Sequence, residues 1–553
     1  MSYQRNVGYI RSLFGYEGCE FSEGTPLAEL TKAVSQIHDR VMRGIEVRVT
    51  LVVATVMLSG GVVTDAAWGK PLTSPTAARG GVTQAAPRSD SLVVDLRIQR
   101  LKSGAGNVLV SSGIPFRAGA LQNADLSRLR IEVEGQEVSA YVAPLAKWRD
   151  GSVRSVLIQF LWSPDQSGSA RLVVGSVKSA VRRLDRGVQS GLPDAVALPA
   201  RPEYLVQTEL AGPTLTVSAT RRLGGTFVKY ETDFKQLADR HWKARADAWE
   251  DNYYDRSRIY YVAWIRTGDL EYWRRGTMMA LTYRREYLER NTYKSSPHWS
   301  QLGGLELHYL LTGDTLSRRA VAGVFAWGLS DFPTAKWGPL ADIENPQSEY
   351  MENRIQARVL QGALAAYRLN ASFTRSDGPA FPASQWPTKL RDMLTRILSV
   401  QKPDGSYPWV QICGGQLNYM VGMLNDVLID YYNDFEADAR IPAAVERANE
   451  YLWTRQWLPA EQAFKYASVN CAPNKFGTNV GGIEPAGDLN GLMVSSFGWL
   501  YQQTGDPKWR TRGDAILAGL VAPRWASNYT GSKQFNQAYT SSFRYLAYRA
   551  PRS

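Results

Sequence analysis

The chain has 553 residues, too many for one small domain, and its hydrophobic content of 44% excludes global disorder. Net charge is +12, which suits either solubility or an acidic partner, and no run of Lys and Arg forms a nucleic-acid arm. Three cysteines and four histidines form neither HExxH nor CxxC, which argues against a zinc site. Carboxylates leave room for a hard cation such as calcium; no cofactor is expected.

Residues 1–41 read as a disordered tail or a start-site artefact ahead of Met42. From Met42, "MRGIEVRVTLVVATVMLSGGVVTDAAWG" sets Arg43 and Arg48 before an apolar stretch from Val49 to Val63, then small residues around Ala66, Ala67 and Gly69. Residues 42–69 therefore have the layout of an export signal, and the apolar run is short for a membrane span. The alternatives are a genuine tail with a membrane anchor at 49–63, or a buried strand. Residues 70–90 form a Pro/Thr/Ala/Gly linker. The folded part then begins near Ser91, in the periplasm or outside the cell. Whether Cys413 and Cys471 pair there is left open by their spacing.

Between 91 and 220 the pattern alternates at period two in "LVVDLRIQRL", "LRIEVEGQEVSAYV", "SVRSVLIQFLW" and "SARLVVGSV", with turn formers between. This predicts an antiparallel barrel or sandwich. Two stretches in it, "VLVSSGIPFRAGAL" (Val108 to Leu121) and "APLAKWRDGSVRSVLIQF" (Ala143 to Phe160), resemble the N-terminal RIFT-like β-barrel of the rhamnogalacturonan exolyase-like (YetA-like) proteins. The resemblance implies a barrel followed by an α/α toroid, and an activity on acidic polysaccharide. The family's further C-terminal β-sandwich has no counterpart in the helix-like closing sequence.

Over 233–553 the period becomes helical, so the fold class is α+β multidomain, a β-barrel or sandwich followed by a toroid of (α/α)6 type. The phrase Thr-Gly-Asp recurs at Thr267, Thr312 and Thr504. Each Gly reads as the stop of one helix and each Asp as the N-cap of the next. Five hairpins plus a closing helix follow from this rhythm, with an open solenoid as the alternative.

In a toroid, polar and aromatic groups at the N-terminal ends of the inner helices face one mouth. "WEDNYYDRSR" supplies Asp251, Tyr253, Tyr254, Asp255, Arg256 and Arg258 there, though capping and a surface ion pair would explain the charges equally well. His298 and Trp299 stand at the next helix entrance; His308, deeper in that helix, reads as structural. In "QSEYMENRIQARVLQG", Glu349, Glu352 and Gln356 fall on one helical face and Arg354, Arg358 and Gln361 on another, with Tyr350 and Asn353 at the same end. Tyr407 and Trp409 could stack a sugar, while Gln416, Asn418, Tyr419 and Asn425 could bond its hydroxyls. Glu484, Asp488 and Asn490 open a later helix, and Lys533, Gln534, Gln537 and Ser541 make a polar stripe on the last.

The favoured reading is an exported polysaccharide lyase acting on a uronate-containing polymer by β-elimination. The expected catalytic groups are His298, Tyr254, Arg256 and Tyr419. Substrate contacts are expected from Asp255, Trp299, Glu352, Arg358, Trp409, Asn418, Asn490 and Gln534, with no metal ligand. A glycoside hydrolase using carboxylates from Asp255, Glu352 and Glu484 is the close alternative, and a non-catalytic carbohydrate-binding protein the third. The sequence leaves the polymer and the oligomeric state open.

Overall fold

The computed structural model describes residues 92–550, apart from 105, 180, 182, 188–190, 247, 330–351, 410–411, 472–481 and 527–530. The tail, export-signal, anchor and linker expectations, and those for Glu349 and Tyr350, lie outside the described residues.

Eight strands form one sheet: β1 (Leu92–Arg100), β2 (Val108–Pro115), β3 (Leu129–Val133), β4 (Gln136–Val138), β5 (Ala140–Lys147), β6 (Val153–Trp162), β7 (Ser169–Val174) and β8 (Ala195–Pro199). Their order is β4-β3-β7-β1-β8-β2-β6-β5. The expected antiparallel pattern holds except where β8 meets β2 in parallel at Val110 and Ala195. The sheet curls, bringing β3 towards β5, but no ladder joins its end strands β4 and β5 among the described residues. It is a half-barrel with one core. β1 shows the alternation that implies one buried face, with Val94, Leu96 and Ile98 inward. β6 is buried almost throughout because both of its faces are covered. Val156, Ile158 and Phe160 fill the curl, while the Ser155 hydroxyl donates to Leu310 O at 2.6 Å on a helix beyond. Gly113 on β2 sits against the same carbonyl; a Cβ there would lie 2.0 Å from it, so only glycine lets sheet and helix approach this closely.

The eight-stranded sheet ends at Pro199, and helices follow at once: α1 (Pro202–Gln207), α2 (Val217–Arg221) and α3 (Gly225–Ala244). Five hairpins come next. They are α4 (Arg256–Thr267) with α5 (Leu270–Thr282), α6 (Gly303–Thr312) with α7 (Thr315–Val324), α8 (Asn353–Arg368) with α9 (Trp386–Ser399), α10 (Asn418–Asp434) with α11 (Arg440–Tyr451), and α12 (Val494–Thr504) with α13 (Pro507–Leu520). Two-residue strands β9 (Phe373–Thr374) and β10 (Ala380–Phe381) pair with each other, as do β11 (Trp457–Leu458) and β12 (Ala463–Phe464). The chain closes with α14 (Pro523–Ala526), α15 (Ser532–Tyr539) and α16 (Phe543–Tyr548).

The first helix of each hairpin is the buried one: every residue of α6 is buried, whereas its partner α7 keeps an exposed polar edge. The two ends of the helical stretch are bonded together. Ser532 donates to Asp251 Oδ1 at 2.8 Å, Asn536 Nδ2 to Tyr253 O at 2.6 Å, and Tyr230 of α3 shares a 2.8 Å hydrogen bond with Ser542. An open solenoid lacks such closure. The closing unit is drawn from both ends of the helical stretch, with α3 packing on α15, which the reading of one last helix did not anticipate.

The three Thr-Gly-Asp turns share one geometry. Gly268, Gly313 and Gly505 have φ of 72°, 72° and 71°, and each N–H bonds a carbonyl four residues back. Asp269, Asp314 and Asp506 cap the following helices by accepting from Glu271, Leu316 and Lys508 N–H. The threonine contributes as well. Its hydroxyl donates to the carbonyl four residues back and accepts the N–H of the aspartate two residues on, at 2.7 and 3.1 Å for Thr267. Thr312 and Thr504 repeat both bonds.

Candidate functional site

The N-terminal ends of α4, α8 and α10, with the turn Pro297–Trp299 before α6, bring a set of polar groups together. The approach to α4 is tight. Tyr254 and Asp255 both adopt left-handed backbone, φ 64° and 66°, which for residues other than glycine costs about 1–3 kcal/mol each. Asn252 holds the turn by accepting the Ser257 N–H at 2.9 Å. Asp255 caps α4 through the Arg258 N–H and accepts the Gly304 N–H on both oxygens at 3.1 Å. Burial raises its carboxyl above the ordinary range, against the pull of Arg258 and the Gly304 N–H. The strained turn sends the Tyr254 ring into a narrow axial cavity of about 60 Å³ that Arg358 also lines.

At the entrance of α8, Glu352 is the N-cap rather than a helical residue, so it meets Arg354 directly. Arg354 Nε donates to Glu352 Oε1 at 2.5 Å, Nη1 to the Tyr253 hydroxyl at 3.2 Å, and Nη2 lies 3.3 Å from His298 Nε2. The same Nε2 is 3.3 Å from Glu352 Oε2. Burial opposes the Glu352 charge, but the His298 bond and Arg354 outweigh it and hold the carboxyl below its usual range. Burial also opposes the Arg354 charge, which Tyr419, Glu352, Tyr253 and Tyr254 together sustain.

His298 is placed to move a proton. Its side chain is 38% exposed, and Nδ1 bonds no described residue. When Nε2 carries hydrogen it donates to Glu352; when bare it accepts from Arg354, so both tautomers have a partner. With Nε2–H on Glu352, Nδ1 is a free base oriented by a carboxylate. The turn beneath is fixed by the Ser296 cap, by Gln301 Nε2 donating to His298 O at 2.9 Å and by the Tyr283 hydroxyl donating to Trp299 O.

Phenols complete the set. Burial pushes the Tyr253 phenol up to about 12, and pushes Tyr419 well above its usual value, with Tyr254 adding to the latter. Both are proton donors near neutral pH. Tyr419 packs on Tyr466 with ring centres 5.5 Å apart. An aromatic wall flanks His298: Trp299 meets Tyr253 at 4.7 Å and Trp249 at 5.1 Å, and Trp249 stacks on Tyr287 at 4.3 Å. Half-exposed rings of this kind offer apolar faces to sugar rings.

Thus the structure gathers His298, Tyr254, Tyr419, Glu352, Arg358, Asp255 and Trp299 around one end of the ring. Other expected residues are engaged elsewhere. Arg256 is fully buried on the α3 side of α4, where it pairs with Asp251 at 3.1 Å, donates to Arg245 O at 2.8 Å and bonds the Tyr260 hydroxyl, so it does not reach the mouth. Asn418 donates to Lys465 O at 2.8 Å and accepts from Gln416, which makes it a loop clamp. Asn490 donates to Gln462 O and Ile516 O and pins a loop to α13. Trp409 is buried, its backbone N–H bonding Gly415 O within its own loop, so it offers no face to a ligand. Gln534 is half-buried on α15, Glu484 is exposed, and His308 is buried on Ser317 with its pKa lowered to about 4 by burial.

Sequence reasoning named Arg354 without counting it among the site residues, and missed Trp249 and Tyr466. Arg354 was assigned a different helical face from Glu352, which fails because the helix begins only at Asn353. Cys413 and Cys471 form a disulfide, Cα atoms 5.7 Å apart, tying the Trp409 loop to the segment that follows Tyr466. Among the described residues no group of three or more His, Cys, Asp or Glu could hold a metal, and no helix is long and apolar enough to cross a membrane.

No family model and no curated protein matches the chain. Among solved structures it is similar to the crystal structure of an unsaturated glucuronyl hydrolase specific for heparin, at 12% identity and a TM-score of 0.43, covering 58% of this chain and 96% of that one. A likeness at that level does not identify the chemistry of this chain.

Proposed function

We propose that the protein is an exported carbohydrate-active enzyme, a lyase that cleaves an acidic polysaccharide by β-elimination. The observation that carries this reading is the convergence of one orienting carboxylate, one imidazole with a free nitrogen, two cationic guanidiniums and protonated phenols at a single mouth. Elimination needs these parts. Arg354 and Arg358 would bind the uronate carboxylate and stabilise charge as the C5 proton leaves. His298 Nδ1 takes that proton, with Glu352 stabilising the imidazolium. Electrons from the C5–H bond form the C4–C5 double bond, the C4–O bond breaks, and Tyr419 or Tyr254 returns a proton to the leaving oxygen. The resemblance of the β-strand motifs to rhamnogalacturonan exolyase-like proteins supports the substrate class. The disulfide supports an oxidising compartment, as does the export-signal layout of residues 42–69.

A hydrolase would need two carboxyl groups free to face the bond. Asp255 has both oxygens on the Gly304 N–H, Glu352 is committed to Arg354 and His298, Asp426 beside Asp255 in the axial cavity accepts from Ser495, and Glu484 is exposed; these commitments support elimination. The test is incubation with a panel of uronic and neutral polysaccharides. Ultraviolet absorbance of an unsaturated uronate end supports the lyase. New reducing ends without that absorbance would assign a hydrolase, and binding without either product a carbohydrate-binding protein.

A further inference from the structure

A second and larger cavity, of about 1140 Å³, opens where the half-barrel meets the C-terminal ends of the inner helices. Its walls are the Trp148–Asp150 turn, the loop 207–213 and the ends of α8, α10, α12 and α16. A neighbouring recess of about 520 Å³ shares Trp148, Arg149, Arg154, Arg368 and Asp434 with it and extends the space along the sheet. The volume exceeds that of a single sugar and falls at the upper end of ligand sites.

Six arginines and five carboxylates line this cavity, so the charge is nearly matched with a cationic remainder. The matched part is a buried chain of ion pairs. Arg154 bonds Glu306 at 2.9 Å, Arg368 bonds Glu306 at 3.3 Å and Asp430 at 3.5 Å, and Arg544 bonds Asp430 at 2.7 Å. Nε of Arg154, Arg258, Arg368 and Arg544 is in each case buried without an acceptor. A buried donor without a partner is costly, so these four guanidiniums keep hydrogen-bonding capacity beyond their ion pairs.

The chemistry of the walls narrows the ligand. Carboxylates on the walls disfavour a dense phosphate charge but accept hydroxyl protons. Side-chain amides of Gln502, Gln503 and Asn433 serve hydroxyls too, and the half-buried Trp148 ring supplies an apolar face. One carboxylate per several hydroxyls matches the small cationic remainder. We propose that this cavity, which adjoins the axial cavity at Arg258, Asp430 and Arg544, is a second binding site for a carboxylate-bearing oligosaccharide.

The test is calorimetric titration of the full chain with a galacturonate trisaccharide, and with maltotriose as a neutral control. Two variants leave the buried ion pairs intact: Arg117→Ala with Arg149→Ala at the exposed rim, and Ala547→Trp as a plug. Each is made in the Arg354→Ala background, which removes one of the two guanidiniums assigned to the mouth, so that the rim and plug variants report on the cavity. Arg354→Ala alone should retain one bound trisaccharide, and both rim and plug should weaken it about ten-fold or more. No residual binding in Arg354→Ala, unchanged affinity in both added variants, or equal affinity for maltotriose would each overturn the proposal. The readout is independent of turnover: a chain without elimination activity that still binds the trisaccharide in the Arg354→Ala form would lose the lyase reading and keep this one.

Discussion

The two ends of the helical ring use the same residue types for different ends. At the mouth, Arg354 and His298 share one carboxylate, Glu352, beside Arg358, the buried Asp255 and phenols. One imidazole nitrogen bonds no described residue. At the sheet-side end, Arg154, Arg368 and Arg544 run through Glu306, Asp430 and Asp434, each cation with at least one anion. Burial opposes ionisation of Asp430, yet Arg544 and Arg368 hold its pKa at about 2. Asp430 therefore stays charged over the physiological range and braces that end through its two arginines. Pairing, rather than composition, separates the two ends.

That contrast can be broken in four ways. The largest effect is expected from Arg544→Met, which removes the nearer cation from Asp430 and leaves Arg368 at 3.5 Å; stability should fall by about 3 kcal/mol in denaturant titration. An unchanged midpoint would show that the network does not hold the sheet-side end. His298→Ala should slow elimination about a hundred-fold, equivalent to roughly 2.7 kcal/mol of barrier, while the melting midpoint stays near wild type. Equal loss of turnover and of stability would place His298 among structural residues instead. The third is a pH effect. Because the Asp430 pKa is depressed, its stabilisation is present above the ordinary carboxylate pKa and disappears as pH falls towards about 2. Asp430→Asn should therefore flatten the stability profile between about pH 4 and 2, on the order of 2 kcal/mol; a wild-type slope in that window would contradict the pairing. The smallest effect is expected from Thr504→Val, which removes one hydroxyl bridge in a hinge and should cost about 1 kcal/mol by thermal melt, with turnover at the mouth unaltered.

Much of the local architecture was legible. The Thr-Gly-Asp turns form as their residue types require, since only glycine takes the left-handed stop at low cost and aspartate is a strong N-cap. The alternating runs became strands, although curling left the sheet open and placed one parallel contact between β2 and β8. His298, Tyr254 and Tyr419 stood out in the sequence because scarce histidines and polar aromatics at helix entrances lack a packing reason to be there, and the fold brings them to one end of the ring. Arg256 was misjudged because sequence shows that it lies at the start of α4 but not on which side; a rotation of one residue sends it to Asp251 instead of the axis. Asn418 and Asn490 look like ligand groups in sequence because an amide that clamps a loop and an amide that binds a hydroxyl are the same residue.

By itself, then, the sequence determined the units: period-two strands, helical hairpins with their stops and caps, and the aromatic and polar groups at each helix entrance. These depend on neighbours within a few positions, where backbone sterics and hydrogen bonding act. Only the tertiary structure decided that α3 closes the ring with α15, that Arg354 reaches Tyr253 across 101 positions, and that Arg154 of the sheet pairs with Glu306 across 152. Those contacts depend on chain closure and on burial, and burial is what turns an ordinary arginine or carboxylate into a locked pair or a reactive one.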